Sequence, residues 1–336
     1  MMGGVSRCQG ARCQGARVPK CQGARVPGCQ GAKVRRCQGA KVPLLSGAMI
    51  LRLLSEADLP DALRLSSTAG WNQQLEDWRL LLSLAPAGCF AALDGDTIVG
   101  TSMGIPYGEF SWIAMMLVDP AYRGQGLGRR LLEAAVGAVP ADRPVRLDAT
   151  PLGRPLYESF GFVDEATLTR FTAAPDVHHQ PIIGDIAKAV RPLAEAGTIA
   201  SVDRAVFGAD RSAVLQWALK QCPQYARVAS PTFNRAYCFG RHGRLFDQIG
   251  PVVAEDEITP RALVISALMA SSGRDVAIDA FDECEMFTAW LRSWGFVAQR
   301  PLFRMCRAES GGAVPPRGSR ASDGLREYAI FGPEFA

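Results

Sequence analysis

The chain has 336 residues, 48% of them hydrophobic and 21% charged, which is enough for two domains of ordinary size. No apolar run approaches the ~18 residues of a membrane-crossing helix, so no membrane-embedded segment is expected. The net charge of +4 is uneven: residues 1–48 hold nine Lys and Arg and no Asp or Glu, so by difference the remainder carries −5. That mildly acidic remainder argues against general nucleic-acid binding.

Residues 1–48 are a repeat, Cys-Gln-Gly-Ala-Arg/Lys, recurring at Cys8, Cys13, Cys21, Cys29 and Cys37. It lacks large apolar side chains at helical or strand spacing and so is read as disordered, or as spurious sequence ahead of a natural start at Met49. Zinc sites pair cysteines two to four residues apart and usually add histidine, and this evenly repeated stretch has no histidine, so no metal is expected. The segment also lacks the apolar middle of a secretion signal. The other cysteines, Cys89, Cys222, Cys238, Cys284 and Cys306, are scattered among apolar residues and read as reduced, buried thiols of a cytoplasmic protein. His178, His179 and His242 are not placed to serve as a cysteine's base or as metal ligands.

From Met49 the pattern predicts a strand over 50–53 and a helix capped by Ser55, with Glu56 and Asp58 in its first turn. The stretch Gly70-Trp71-Asn72-Gln73 breaks the helix, and a second runs over 75–84 with Trp78, Leu81 and Leu82 on its apolar side. Strands at 89–93 and 97–105 flank Asp94-Gly95-Asp96, a hairpin turn, and an apolar strand occupies 110–118. A glycine-rich turn then opens a helix reaching about 136. A strand at 145–149, a helix at 152–159 and a strand at 167–171 close this half.

The turn carries the chemistry. It reads Arg123-Gly124-Gln125-Gly126-Leu127-Gly128-Arg129-Arg130 directly after Val118-Asp119-Pro120. A strand running through such a turn into a helix gathers free backbone N–H groups at a positive helix end, which favours a pyrophosphate. Side chains in place of the glycines would hold the phosphates away. A dinucleotide fingerprint is excluded because Arg129 stands where its third glycine belongs, and the Gly-Lys-Ser/Thr of a nucleoside-triphosphate loop is absent.

What remains, Arg-x-x-Gly-x-Gly over 123–128, resembles the acetyl-CoA signature of the GNAT superfamily of N-acetyltransferases. Leu156-Tyr157-Glu158-Ser159-Phe160-Gly161-Phe162 looks like the same family's Leu-Tyr-x-x-x-Gly-Phe, and the element order over 49–174 resembles its fold. The resemblance implies acetyl-CoA as cosubstrate and no metal. The pyrophosphate would lie on residues 123–129 (Arg123, Gly124, Gln125, Gly126, Leu127, Gly128 and Arg129). Thr150 would meet the cofactor arm, and central-strand N–H groups at Met116, Leu117 and Val118 would meet the thioester end. It also implies Tyr157 as proton donor to the leaving thiolate, with packing of its helix onto the sheet as the other reading. Trp71, Asn72, Gln73 and Trp78 fall where the family builds its acceptor wall, although aromatics there serve equally as core.

Departures from the family pattern are as informative. Thr150 and Gly153 stand where the family often has Asn and Ala. Residues 111–118 contain no acid, whereas many members place a glutamate there. Glu109, Glu76 and Asp77 are alternative bases, each also readable as a surface charge, with a water relay as a further option.

After a linker at 175–184 the pattern repeats more faintly. A helical stretch from 185 leads to Phe207-Gly208-Ala209-Asp210-Arg211, with Asp210 as cap of a helix over 212–219. Strands follow at 226–229, 235–240 and 248–253, a helix at 259–269, a strand at 276–280, a helix at 283–294 and a strand at 297–305. This half (185–306) resembles the degenerate second domain of a bacterial two-domain GNAT type, on its Gly-Ala-Asp-Arg element and its Arg300-to-Met305 strand. Ala254-Glu255-Asp256-Glu257 replaces the glycine turn, and three acids there would repel phosphates. One CoA site per chain is therefore expected, with the second half covering the acceptor cleft or forming a homodimer surface. Residues 307–323 read as disordered, and 328–335 as an added edge strand.

The expected fold class is α/β (α+β): tandem GNAT-like domains, each a mixed, mostly antiparallel sheet flanked by helices. The expected activity is acetyl transfer from acetyl-CoA to a small-molecule or peptide amine. A CoA-binding sensor without catalysis is the second reading, and a nucleic-acid arm in the basic repeat a third.

Overall fold

Alternating apolar residues in short runs, separated by glycine turns, build thirteen strands into one sheet. A computed structural model describes residues 49–175, 190–229, 235–271, 273–308 and 324–335. The repeat at 1–48, most of the linker, His178, His179 and the segment 309–323 lie outside the described residues. The first half runs β1 (Ile50–Leu53), α1 (Leu59–Thr68), α2 (Leu75–Leu84), β2 (Cys89–Asp94), β3 (Thr97–Pro106), β4 (Ser111–Val118), α3 (Leu127–Gly137), β5 (Val145–Ala149), α4 (Arg154–Glu158) and β6 (Val163–Ala173). The second runs β7 (Val190–Pro192), α5 (Ala200–Phe207), α6 (Ser212–Gln221), β8 (Arg227–Ala229), β9 (Ala236–Arg241), β10 (Asp247–Ala254), α7 (Thr259–Met269), β11 (Val276–Phe281), α8 (Glu285–Ser293), β12 (Val297–Arg307) and β13 (Arg326–Ile330).

Two expectations are corrected. The helical stretch expected from 185 to Phe207 is found only from 196 onward, in a helical turn at Ala196–Ile199 and in α5; before it, among the described residues, lies the short strand β7, whose Pro192 suits an outermost position. The strand expected at the edge from 328 is instead β13, an interior strand hydrogen-bonded between β11 and β10.

The halves are not side by side but interlocked. The sheet order is β1-β2-β3-β4-β5-β12-β6-β11-β13-β10-β9-β8-β7. Strand β12 of the second half thus inserts between β5 and β6, and β6 of the first half lies between β12 and β11. Both exchanged strands follow a helix-Gly-Phe ending (Gly161-Phe162 and Gly295-Phe296), so the exchange is reciprocal. Each also carries an arginine that grips an aspartate of the other half in two hydrogen bonds. Arg304 of β12 donates to Asp148 of β5, 2.9 and 2.9 Å, and Arg170 of β6 to Asp279 of β11, 2.7 and 2.6 Å. All four groups are buried, and burial raises the Asp148 pKa against the pull of Arg304. Removing one partner of such a pair strands a charge in the interior.

Helices α3 and α4 cover one face through Leu132, Ala135 and Tyr157 against Ile113, Val145 and Leu147. The opposite face of β4, with Trp112 and Ala114, joins a core shared with α1, α2, α5 and α6. Arg211, not the expected Asp210, holds the N-cap position of α6; Asp210 lies one residue earlier and accepts from Ser212 N at 2.9 Å. Its neighbour Arg211 is buried, ion-paired with Asp203 of α5 (2.9 Å) and Glu327 of β13 (3.0 Å). The five cysteines after Met49 are buried and in the thiol form, and burial pushes the Cys89, Cys238 and Cys306 thiols up to about 12.

Candidate active site

The site begins with a split in the sheet. Strands β4 and β5 are parallel but pair only at Ser111–Val145 and Trp112–Arg146, so from Ile113 onward they part. Just past the split β4 bulges: between the pairs Met103–Ala114 and Thr101–Leu117, one residue of β3 faces Met115 and Met116 of β4. Met115 takes a φ of 51°, and its carbonyl accepts from Thr101 Oγ1 at 2.8 Å. A side chain in the left-handed region costs on the order of 1 kcal/mol and persists where the surroundings impose it. A bulge re-aims the backbone groups around it. The bulge lies beside Met116, one of the residues expected at the thioester end.

At the far end of β4 the glycine turn is held by its own side chains. Asp119 accepts from Ala121 N (3.0 Å), Arg123 Nε donates to Val118 O (3.1 Å) and Gln125 Nε2 to Ala121 O (3.2 Å). Gly124 and Gly126 take φ values of 75° and 81°, and a Cβ on either would meet nothing within 4 Å. Their positive φ demands glycine, and the open space beside them leaves room for a diphosphate. Gly126 caps α3, whose first-turn N–H groups have no partners within the helix. Leu127 and Leu131 anchor that end against Ala92 and Val99. Gly128 differs from its neighbours: a Cβ there would make ordinary contacts with Leu156 (3.5 Å) and Val118 (3.8 Å), so sterics do not require glycine. Arg129 turns toward α4, its guanidinium 4.7 Å from the Phe160 ring centre and donating to Ser159 Oγ at 3.2 Å.

Tyr157 of α4 packs edge-on to Phe162 in the same cluster as Ile113, with half-buried Met116 against it. Burial raises its pKa, which keeps it a protonated donor. Thr150 Oγ1 accepts from Gly153 N at 3.3 Å, bracing the start of α4. A Cβ on Gly153 would lie 3.0 Å from the Tyr157 ring, so the departure at 153 from the resembled pattern gives that ring its room.

The expected acceptor wall divides. Trp78 is fully buried, its indole N–H donating to Ser66 Oγ at 3.4 Å, and is a core residue. Asn72 is a clasp to the second half: Nδ2 donates to Phe246 O (3.0 Å), and Oδ1 accepts from Leu245 N (2.8 Å) and Phe246 N (3.1 Å). Gly243 allows that approach, since a Cβ there would fall 2.0 Å from Asn72 Nδ2. Trp71 is half-buried against the core, and its carbonyl accepts from Arg244. Gln73 is buried with Oε1 unpartnered. Of the alternative bases, Glu109 is exposed and paired with Arg204 (3.1 Å), and Glu76 is exposed and paired with Arg79. Asp77 is buried between Gln74 N and Arg241 (2.9 Å), and burial pushes it up to about 6 despite that arginine.

The second half repeats the split and then fills it. Strands β10 and β11 pair only at Asp247–Val276 and Gln248–Ala277 before parting. Into the gap comes β13, pairing with β10 at Val252–Ala329 and with β11 at Asp279–Ile330. Sequence reasoning located the lost glycine turn here, but no local signal marked this plug.

A model of the acetyltransferase (GNAT) domain matches residues 85–164, and a second GNAT domain model matches residues 199–315. The chain belongs to the GNAT acetyltransferase family. This tandem GNAT chain is 29% identical over 166 residues to the uncharacterized N-acetyltransferase YitH of Bacillus subtilis (strain 168). That alignment covers 48% of the chain and 57% of the relative, so it spans little more than half of that protein's length. Among solved structures it is similar to a putative acetyltransferase from Pyrococcus horikoshii, with a TM-score of 0.67 at 23% identity over 85% of this chain and 95% of that one. It is also similar to a tandem GNAT protein from the clavulanic acid biosynthesis pathway, with a TM-score of 0.53 at 14% identity over 79% of this chain and all of that one. These likenesses show the tandem GNAT fold. Among the described residues no helix is long and apolar enough to cross a membrane, and no group of three or more His, Cys, Asp or Glu side chains is arranged to hold a metal ion.

Proposed function

We propose that this GNAT protein is an N-acetyltransferase that moves an acetyl group from acetyl-CoA to an amine, and that the first half does the chemistry. The observation that carries this reading is the split between β4 and β5, which runs from the Met115 bulge to the Gly124–Gly126 turn and stays open, while its counterpart between β10 and β11 is filled by β13. The diphosphate would rest on the N–H groups around Gly124, Gly126 and Gly128, with its arm along the split edge of β4 and Thr150 at its side. The acetyl carbonyl would accept a hydrogen bond from backbone N–H near Met116 or Val118, where negative charge develops during attack.

The amine nitrogen then attacks the carbonyl carbon, the carbon–sulfur bond breaks, the thiolate takes the proton of the Tyr157 hydroxyl, and the proton shed by the new amide nitrogen passes through water to restore that hydroxyl. Holding both reactants at the bulge supplies much of the rate. The amine must lose its proton before attack. No acid on β4 performs this, so solvent water at the open split is the proton acceptor in this scheme. Thiol release from acetyl-CoA with a panel of amines tests the reading. Amine-dependent release is expected, whereas tight CoA binding with no release under any amine would make the chain a sensor.

A further inference from the structure

Three buried polar atoms without a hydrogen-bond partner among the described residues belong to one region at the seam of the halves: Gln73 Oε1, Arg241 Nε and Arg300 Nε. The region is knit together by groups already in place. Asn72, next to Gln73, grips the Phe246 backbone, and the Phe246 ring lies 5.3 Å from the Arg170 guanidinium. Arg170 stands opposite Arg300 in the β6–β12 register. Arg241 pairs with Asp77 and with Glu334 of the C-terminal segment.

Three arginines and three acids meet in this region, but the direct ion pairs are shared unevenly. Asp279 gives both oxygens to Arg170, while Asp77 and Glu334 both turn to Arg241. Among the described residues Arg300 makes no direct ion pair; it is half-buried, and burial together with the nearby Arg170 cation pulls its pKa down to about 10, although Asp279 and Glu334 act the other way. A structural arginine at a seam is normally paired, because an uncompensated charge in such surroundings is costly. An arginine with a buried, unused Nε is instead equipped to receive an anion in its planar fork.

Its place in the sheet bears on the acceptor. Phe303 of β12 pairs with Ala149, the last residue of β5, and Arg300 lies three residues further on, roughly 10 Å beyond the open end of the split. No register irregularity separates Arg300 from Arg304, so both project to the face opposite α3 and α4, the side that bears the α1–α2 connection with Gln73.

We propose that Arg300 binds a carboxylate of the acceptor while Gln73 Oε1 accepts an N–H of the same molecule, so that the acceptor is an amine that also carries a carboxylate. The proposal rests on the acetyltransferase reading and narrows it to amino acids and the carboxyl ends of short peptides. The test compares kcat/KM for L-amino acids, for dipeptides, and for the matching carboxamides of each. The wild type is expected to favour the carboxylate forms by about ten- to a hundredfold, the range of a charged hydrogen bond in a sheltered site. Arg300→Met should bring that ratio near one, and Arg300→Lys should restore part of it. A preference for free amino acids over dipeptides, or the reverse, identifies the source of the carboxylate.

Equal rates with acids and amides in the wild type would overturn the proposal while leaving the acetyltransferase reading intact, as would a preference that survives in Arg300→Met. Transfer to no amine of any set would overturn both. Because Arg300 has no ion-pair partner to lose, Arg300→Met should melt no lower than the wild type. A drop of more than about 4 °C would show a structural role and count against the proposal.

Discussion

Replacing Gly126 with glutamate has two separable consequences. The first is strain: at φ 81° a non-glycine residue costs about 1–2 kcal/mol, which a domain stable by about 5–15 kcal/mol survives folded. The second is charge. A Cβ at Gly126 meets nothing within 4 Å, so the new carboxylate projects into the space assigned to the diphosphate. At about 5 Å each phosphate is repelled by about 1 kcal/mol in water-like surroundings and about 3 kcal/mol at a protein-surface dielectric. Two phosphates therefore cost roughly 2–6 kcal/mol, a loss in acetyl-CoA affinity of at least about thirtyfold. Gly273→Glu is the control: its φ of 72° and open surroundings bring the same strain and charge in the second half, which lacks the glycine turn. Calorimetric titration of acetyl-CoA, with melting curves for each variant, reads both effects. If Gly126→Glu binds within about threefold of the wild type, or Gly273→Glu weakens binding equally, the glycine turn does not hold the diphosphate.

Three further predictions concern other links in the account. Tyr157→Phe should slow turnover by about a hundredfold with little change in acetyl-CoA affinity, and single-turnover kinetics showing an unchanged rate would remove the hydroxyl from the reaction. Because Asp77 is raised from 3.8 to about 6 in the folded chain, the stability it contributes is complete below 3.8 and is lost as pH rises through about 6. Asp77→Asn should therefore gain on the wild type by roughly 2–3 kcal/mol between pH 4 and pH 7.5 in denaturant titrations, and a gap independent of pH would contradict the assignment. Arg304→Met should destabilise by about 3–5 kcal/mol by stranding Asp148, with Arg304→Met plus Asp148→Leu recovering much of it; additive losses would mean that the exchanged strand is not held by this pair.

The local elements were legible because each carries its own pattern. Helix α2, strand β5 and helix α7 fall where periodicity placed them, and the glycine turn announced itself between a strand and a helix. What was not legible depends on distant pairing. Nothing in residues 297–305 distinguishes a strand of the second half's own sheet from one that inserts beside β5, because Arg304 and Asp148 are 156 residues apart. Arg304 and Arg170 carry no local sign of burial, and the pairs that bury them appear only when both halves are folded. The β13 plug was hidden for the same reason: Tyr328-Ala329-Ile330 suits an edge or an interior strand equally. The bulge at Met115 carries no glycine to mark it. Trp78 and Asn72 show the limit of resemblance, since their positions matched an expected wall while the packing made one a core residue and the other a clasp.

A crystal structure of the chain with acetyl-CoA, paired with calorimetric stoichiometry, tests the central claim most directly. One molecule per chain is expected, its diphosphate on the backbone nitrogens around Gly124 and Gly126 and its thioester beside Met116 and Tyr157. A second molecule between β10 and β11, or none in the split between β4 and β5, would contradict it.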